Sequence, residues 1–181
     1  MRIIKLNATD STNSYLKGLY AKETLADYTA VITNEQTHGR GQMGSVWESQ
    51  ASKNLTFSVF KDLNDLRINH PFYISMATAL ALIKTLELFS IPRLSIKWPN
   101  DILSADKKIC GVLIENVIKQ QNISASIIGI GLNVNQTEFE NLPQASSLKN
   151  ISGNDYDINE LAISIIENIK IYFNLLEKGH L

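Results

Sequence analysis

One cysteine in 181 residues leaves no internal disulfide and no Cys-rich zinc site. That usage fits a reducing compartment. No charge sign dominates either. Seventeen basic residues meet eighteen acidic ones, for a formal charge of −1, whereas proteins that live on nucleic acid usually carry a basic excess. Long apolar runs are also missing. The most apolar stretches, such as Ile123–Val134, are too short or too interrupted to cross a bilayer. The N-terminus, MRIIKLNATDSTN, turns polar too early for a signal peptide. Three histidines, His38, His70 and His180, stand at no metal-ligand spacing, which excludes a zincin-type helix. No internal repeat or low-complexity tract is present. These absences predict a soluble cytoplasmic chain without membrane or DNA contact.

What is present is an ordinary globular balance, with 44% hydrophobic and 19% charged residues over a single-domain length, 1–181. Strand-like runs are expected at Arg2–Leu6, Tyr28–Thr33, Asn54–Phe60, Leu94–Trp98, Ile109–Val117 and Ser124–Val134. The last two are joined by the polar turn KQQN. Helical spacing marks a segment from Asp10-Ser11-Thr12 to about Lys22, a second from Pro71 to about Phe89, and a third from Asn159 to Leu176. The second is apolar almost all round and is expected to be central. Gln36–Ser52 and Pro99–Lys107 read as loops. Hairpin-like pairs with few helices predict an α+β fold, with a mixed, largely antiparallel sheet backed by helices.

Chemistry concentrates in a few places. The stretch Gln36-Thr37-His38-Gly39-Arg40-Gly41-Gln42-Met43-Gly44-Ser45-Val46-Trp47 puts three glycines within six residues. Such a stretch permits close backbone approach to a ligand and an anion-binding nest, with Arg40 free to fork onto a carboxylate or phosphate. Its spacing is that of neither a P-loop nor a dinucleotide fingerprint. Read alone, it is equally a solvated surface loop. Lys97-Trp98-Pro99-Asn100-Asp101 is either a strand exit with Trp98 in the core or a strand end projecting Asn100 and Asp101 into a site. Lys108 stands at the mouth of the apolar run Ile109-Cys110-Gly111-Val112-Leu113. Cys110 there reads as buried and inert. Gly129-Ile130-Gly131-Leu132-Asn133 places two glycines inside a strand, which marks either a bend or a flat ligand. Ser11-Thr12-Asn13 is explained by helix capping alone.

Taken in order, Ser11-Thr12-Asn13, Gln36-Thr37 with Gly39-Arg40-Gly41 and Trp47, Lys97-Trp98-Pro99-Asn100-Asp101, Lys108-Ile109-Cys110-Gly111-Val112 and Gly129-Ile130-Gly131-Leu132-Asn133 resemble the catalytic domain of biotin protein ligases. The resemblance implies biotin activation by Mg·ATP to biotinyl-5′-AMP, then transfer of biotin to a lysine of a biotin carboxyl carrier protein. It implies Lys108 and Arg40 as catalytic cations where two anions meet. Ser11, Thr12, Asn13 and Gln36 would hold the biotin head, and Gly39, Arg40 and Lys108 would also touch biotin. Gly111, Gly129 and Gly131 would let its ring lie flat, and Trp47 would line its tail. Arg40, Gln42, Asn100, Lys108 and Asn133 would serve the nucleotide. Asp101 would either take Mg²⁺ or orient Lys108.

Relative to that family the loop reads GRGQMGS where further arginines are common, and a looser grip on the adenylate is expected. The chain is expected to be a lone catalytic domain, without an N-terminal helix-turn-helix domain or the small C-terminal β domain, and a homodimer is open. Two other readings stand beside the ligase: a non-catalytic biotin-binding paralogue, and a lipoate or octanoyl ligase.

Overall fold

Seven strands pair into one sheet in the computed structural model of the protein, which describes residues 1–64, 66 and 70–181. They are β1 (Ile3–Thr9), β2 (Ala30–Gln36), β3 (Leu55–Asp62), β4 (Leu94–Lys97), β5 (Asp101–Ser104), β6 (Lys107–Lys119) and β7 (Asn122–Leu132). Their order is β1-β2-β3-β7-β6-β5-β4, and among the described residues β1 and β2 are the one parallel pair. This is the mixed, largely antiparallel sheet expected. Among the described residues four α-helices complete it: α1 (Thr12–Tyr20), α2 (Phe72–Leu88), α3 (Leu148–Ser152) and α4 (Ile158–Glu177). None is long and apolar enough to cross a membrane.

Strand alternation gives the sheet two unlike faces. Phe57, Val59, Ile128, Ile130 and Leu132 point to one face and form the main core with Ile74, Leu82 and Leu86 of α2 and Ile165, Ile169 and Phe173 of α4. The opposite face carries a smaller core under α1, built from Leu16, Val31, Phe60, Ala125 and Ile127. Farther along that second face the side chains turn small or polar, and the sheet is left open there. Thr56 of β3 pairs with Gly131 of β7, Gly131 with Gly111 of β6, and Gly111 with Asp101 of β5. The neighbouring row runs Ser58, Gly129, Leu113. Motifs far apart in the chain therefore share one patch of sheet.

The polar turn after β6 is a two-residue hairpin, with Gln120 and Gln121 at φ 48° and 68°. Positive φ at both positions is the type I′ geometry that matches strand twist. Two points depart from the sequence reading. Residues 99–107 are not wholly a loop, because Asp101–Ser104 forms β5 between β4 and β6. Its four residues are too short for alternation to be read from sequence. The helix α3 was not anticipated, although Ser147 caps its start and Gly153, at φ 81°, ends it. The helix α2 lies in the main core, as its apolar surface predicts. Phe72, Tyr73 and Leu88 at its two ends stay exposed.

Candidate functional site

A cleft of about 390 Å³ opens on the small-residue patch of the sheet. It is lined by the start of α1, the glycine-rich segment, the turn before β5, and the rows of β3, β6 and β7 described above. Of the sequence-predicted residues, Ser11, Thr12, Asn13, Gln36, Arg40, Gln42, Trp47, Asn100, Asp101, Lys108, Gly111, Gly129 and Gly131 all line it. Gly39 and Asn133 do not. Gly39 is buried at the base of the glycine segment, where an added Cβ would run into the Trp47 carbonyl oxygen. Asn133 is buried, and its amide donates to the Ser146 carbonyl at 3.0 Å. Its side chain ties the end of β7 to the 144–146 segment and is not part of the cleft lining.

At one end of the cleft, Ser11 caps α1, and Ser11, Thr12 and Asn13 are all buried. The Ser11 amide donates to Asp10 and holds that carboxyl below its ordinary range. The Thr12 N–H donates to Gln36 Oε1 at 2.8 Å, which leaves the Gln36 Nε2 hydrogens for another acceptor. Ser58 Oγ lies 2.7 Å from Thr12 Oγ1 and donates to Asn13 Oδ1 at 2.6 Å. Ser58 carried no signal in the sequence beyond being a polar residue in an apolar strand, yet it joins the two capping residues.

At the other end, Lys108 Nζ sits 2.8 Å from Asp101 Oδ1. The approach is off the line of a good hydrogen bond, so Oδ1 has an ionic partner without a directed donor. Two irregularities put Lys108 there. A bulge shifts the β5–β6 register between Ile102 and Leu103, pairing Leu103 with Lys108 while Ile102 pairs with Cys110. Residues three apart on a regular strand face opposite sides. The bulge turns Lys108 onto the face of Gly111, with its Cε 3.3 Å from where a Gly111 Cβ would be. Gln144–Ser146 also clamps the Lys108 backbone: the Lys108 N–H donates to Gln144 O at 2.7 Å and its carbonyl accepts from Ser146 N–H at 2.9 Å.

The glycine-rich segment is not a slack loop. Gly41 N–H donates to Ser45 O at 2.7 Å and Trp47 N–H to Gly39 O at 3.0 Å, closing a small hairpin. Its tip is a short 3-10 turn at Gln42–Gly44 with Gly44 at φ 80° and Met43 fully exposed. The amides of Gly41, Ser45 and Trp47 are therefore engaged within the segment and are not available to an anion.

The hairpin lays the Trp47 indole against the sheet. An added Cβ at Gly131 would overlap the indole ring, and one at Gly111 would lie 2.9 Å from it. At Gly129 it would strike the Asn13 amide. The room left by the three glycines is thus taken by the chain's own side chains. The Trp47 Nε1 is buried with no hydrogen-bond partner among the described residues. Lys108 Nζ lies 5.7 Å from the ring centroid, within cation–π range.

Arg40 points elsewhere than the Lys108 end. Its guanidinium contacts Glu115 Oε2 at 2.9 Å and Ser14 Oγ at 3.3 Å. Cys110 is fully buried and burial pushes its thiol far up, so it offers no thiolate. Trp98 is half-exposed and stacks near Phe72, with ring centroids 4.9 Å apart, so it is not a core residue. Among the described residues no group of three or more His, Cys, Asp or Glu side chains could hold a metal.

Comparison with known proteins agrees with this geometry. Residues 6–133 match the model of the biotin/lipoate A/B protein ligase family. The chain is similar to a biotin protein ligase from Aquifex aeolicus in complex with biotin and ATP, at 31% identity and TM-score 0.84, covering 98% of this chain and 72% of that one. It is 32% identical over 158 residues to the bifunctional ligase/repressor BirA of Bacillus spizizenii, covering 84% of this chain and 47% of that protein. It is 30% identical over 165 residues to the biotin--[acetyl-CoA-carboxylase] ligase of Mycobacterium tuberculosis, covering 90% of this chain and 60% of that protein. The chain thus spans about half the length of these two relatives.

Proposed function

Because the chain belongs to the biotin/lipoate A/B protein ligase family, we propose that it activates biotin with ATP to biotinyl-5′-AMP and passes biotin to a lysine of a biotin carboxyl carrier protein. The observation that carries this reading is the division of the cleft. Uncharged hydrogen-bonding groups gather at the α1 end, beside an Arg40 whose charge is paired with Glu115, and the cation Lys108 stands at the other.

That division suits biotin. Its neutral ureido head meets Ser11, Thr12 and the free Gln36 amide hydrogens, and its chain runs along Trp47 toward Lys108. The first step joins two anions. A carboxylate oxygen bonds to the α-phosphorus while the bond to pyrophosphate breaks, and negative charge accumulates at the junction. A fixed ammonium is the group that lowers this barrier, and Asp101 keeps it in place. In the second step the carrier's lysine amine attacks the acyl carbon and AMP leaves. The carrier supplies the nucleophile, so the buried Cys110 is not needed.

Arg40 reaches the junction only by leaving Glu115, so Lys108 is the principal cation. Asn100 and Gln42 lie where the nucleotide would extend. Asp101 is the one carboxylate among the described residues lining the cleft. One carboxylate with substrate phosphates and water is a common way to hold Mg²⁺, so Asp101 is the residue that would hold the ion brought by ATP. The ion would neutralise phosphate charge. The reading places the reaction in the cytoplasm, on a carrier protein and not on DNA. It leaves a homodimer open.

Two expected outcomes test it. With biotin and a tenfold excess of lipoate, adenylate formation on biotin is expected to persist. A switch of product to lipoyl-adenylate would move the protein to the other branch of its family. Gln42→Arg is expected to slow adenylate release by roughly 10- to 150-fold, the worth of one charge-assisted hydrogen bond. Equal off-rates would refute the looser grip assigned to this loop.

A further inference from the structure

Glu115 lies outside the cleft lining, on β6, four residues beyond Gly111. Its carboxylate nevertheless meets two parts of the site at once. Asn13 Nδ2, in the first turn of α1, donates to Oε2 at 2.7 Å. The Arg40 guanidinium contacts Oε2 at 2.9 Å and Oε1 at 3.4 Å, and reaches Ser14 Oγ at 3.3 Å. Asn13 in turn accepts from Ser58 Oγ at 2.6 Å and donates to Leu113 O at 3.2 Å. A continuous polar chain therefore runs from the floor of the head-binding end, through Asn13 and Glu115, to the one arginine of the glycine hairpin. The Glu115 side chain is about a quarter exposed and that of Arg40 about half, so the pair is neither a buried charge nor a freely solvated one.

We propose that Glu115 is a positioning residue, a latch that holds the Arg40 hairpin over the head-binding end of the cleft. The inference rests on the biotin-ligase reading for its functional half, while the latch itself is a property of the protein alone. The hairpin carries Trp47 at its base, and Trp47 forms the cleft wall over Gly111 and Gly131. The hydrogen bonds of Gly41 and Trp47 close it on itself, and its hold on the sheet has two parts: the Trp47 indole seated on Gly111 and Gly131, and the Arg40 ion pair that reaches across to β6. Glu115 therefore sets how often the wall opens. Asn13 orients the carboxylate through Oε2, so the α1 end and the hairpin are held by the same side chain.

Glu115→Gln tests this. Glutamine keeps an acceptor for Asn13 and removes the charge that holds Arg40. In a Trp98→Phe background, which leaves Trp47 as the one tryptophan, the share of Trp47 emission open to acrylamide in the ligand-free protein is expected to rise by up to about three- to fivefold, the scale of a partly exposed ion pair. Biotin KM in pyrophosphate exchange is expected to rise by a similar factor while kcat changes less. In an Arg40→Gln background, adding Glu115→Gln should change neither quantity further. Unchanged quenching of Trp47 would overturn the latch, whatever happens to KM. A second effect of similar size in the Arg40→Gln background would overturn it too, since Glu115 would then act other than through Arg40. The quenching arm needs no ligand, so failure of the biotin reading shows separately, as absent activity in the unmutated protein.

Discussion

Replacing Lys108 with alanine is expected to lower the single-turnover rate of biotinyl-adenylate formation by about 10²–10³-fold, the usual consequence of deleting one preorganised group at a developing charge. The fold should survive the change. The contacts that clamp this position to Gln144 and Ser146 are made by its backbone, and alanine keeps them. What changes is electrostatic. Asp101, only 14% exposed at its side chain, would face the junction without its cation, so the site would turn from neutral to anionic where two anions must meet. Biotin binding measured by calorimetry should fall far less than the rate, because the head-binding groups lie at the other end. Equal losses in binding and rate would assign Lys108 to the ground state, contrary to the role given to it here.

Gly131→Ala should produce the second large effect. The new methyl would occupy the space of the Trp47 indole, which must then lift from the sheet. Overpacking of this kind costs about 1–3 kcal/mol, and if the cost falls on the closed hairpin it weakens biotin binding roughly 5- to 150-fold. Tryptophan emission reports the displacement directly. The chain has two tryptophans and Trp98 is already half-exposed, so a red shift belongs to Trp47. Gly18→Ala supplies the control. Gly18 lies within α1 with open space around its Cβ position, and alanine there should stabilise the helix by up to about 1 kcal/mol without touching biotin binding. Unchanged emission and affinity in Gly131→Ala would mean that Trp47 does not form the wall.

Much of this site was legible in the sequence because glycine and proline carry local geometric meaning. Gly129 and Gly131 stand two apart in an apolar run, which on a strand places them on one face, and Ser11 before a helical pattern is a cap. What escaped depends on register. The row Thr56–Gly131–Gly111–Asp101 follows from strand pairing across four separate segments, which no local pattern reveals. Simple alternation along Lys108-Ile109-Cys110-Gly111 puts Lys108 and Gly111 on opposite faces, and only the bulge against β5 brings them together. Glu115 is, in sequence, only a polar residue within a largely apolar strand. Its importance comes from Arg40 and Asn13, which meet it from 75 and 102 residues away. The order of the glycine hairpin is not readable from its composition, which suits a solvated loop as well as a binding segment. Short-range backbone bonds and the seating of Trp47 hold it closed.

The most direct test is biotin-dependent exchange of labelled pyrophosphate into ATP by the 181-residue chain with Mg²⁺. The account predicts exchange that requires biotin and is lost in Lys108→Ala. Exchange absent under conditions where calorimetry shows biotin bound would contradict it, and would leave a biotin-binding protein without adenylation chemistry.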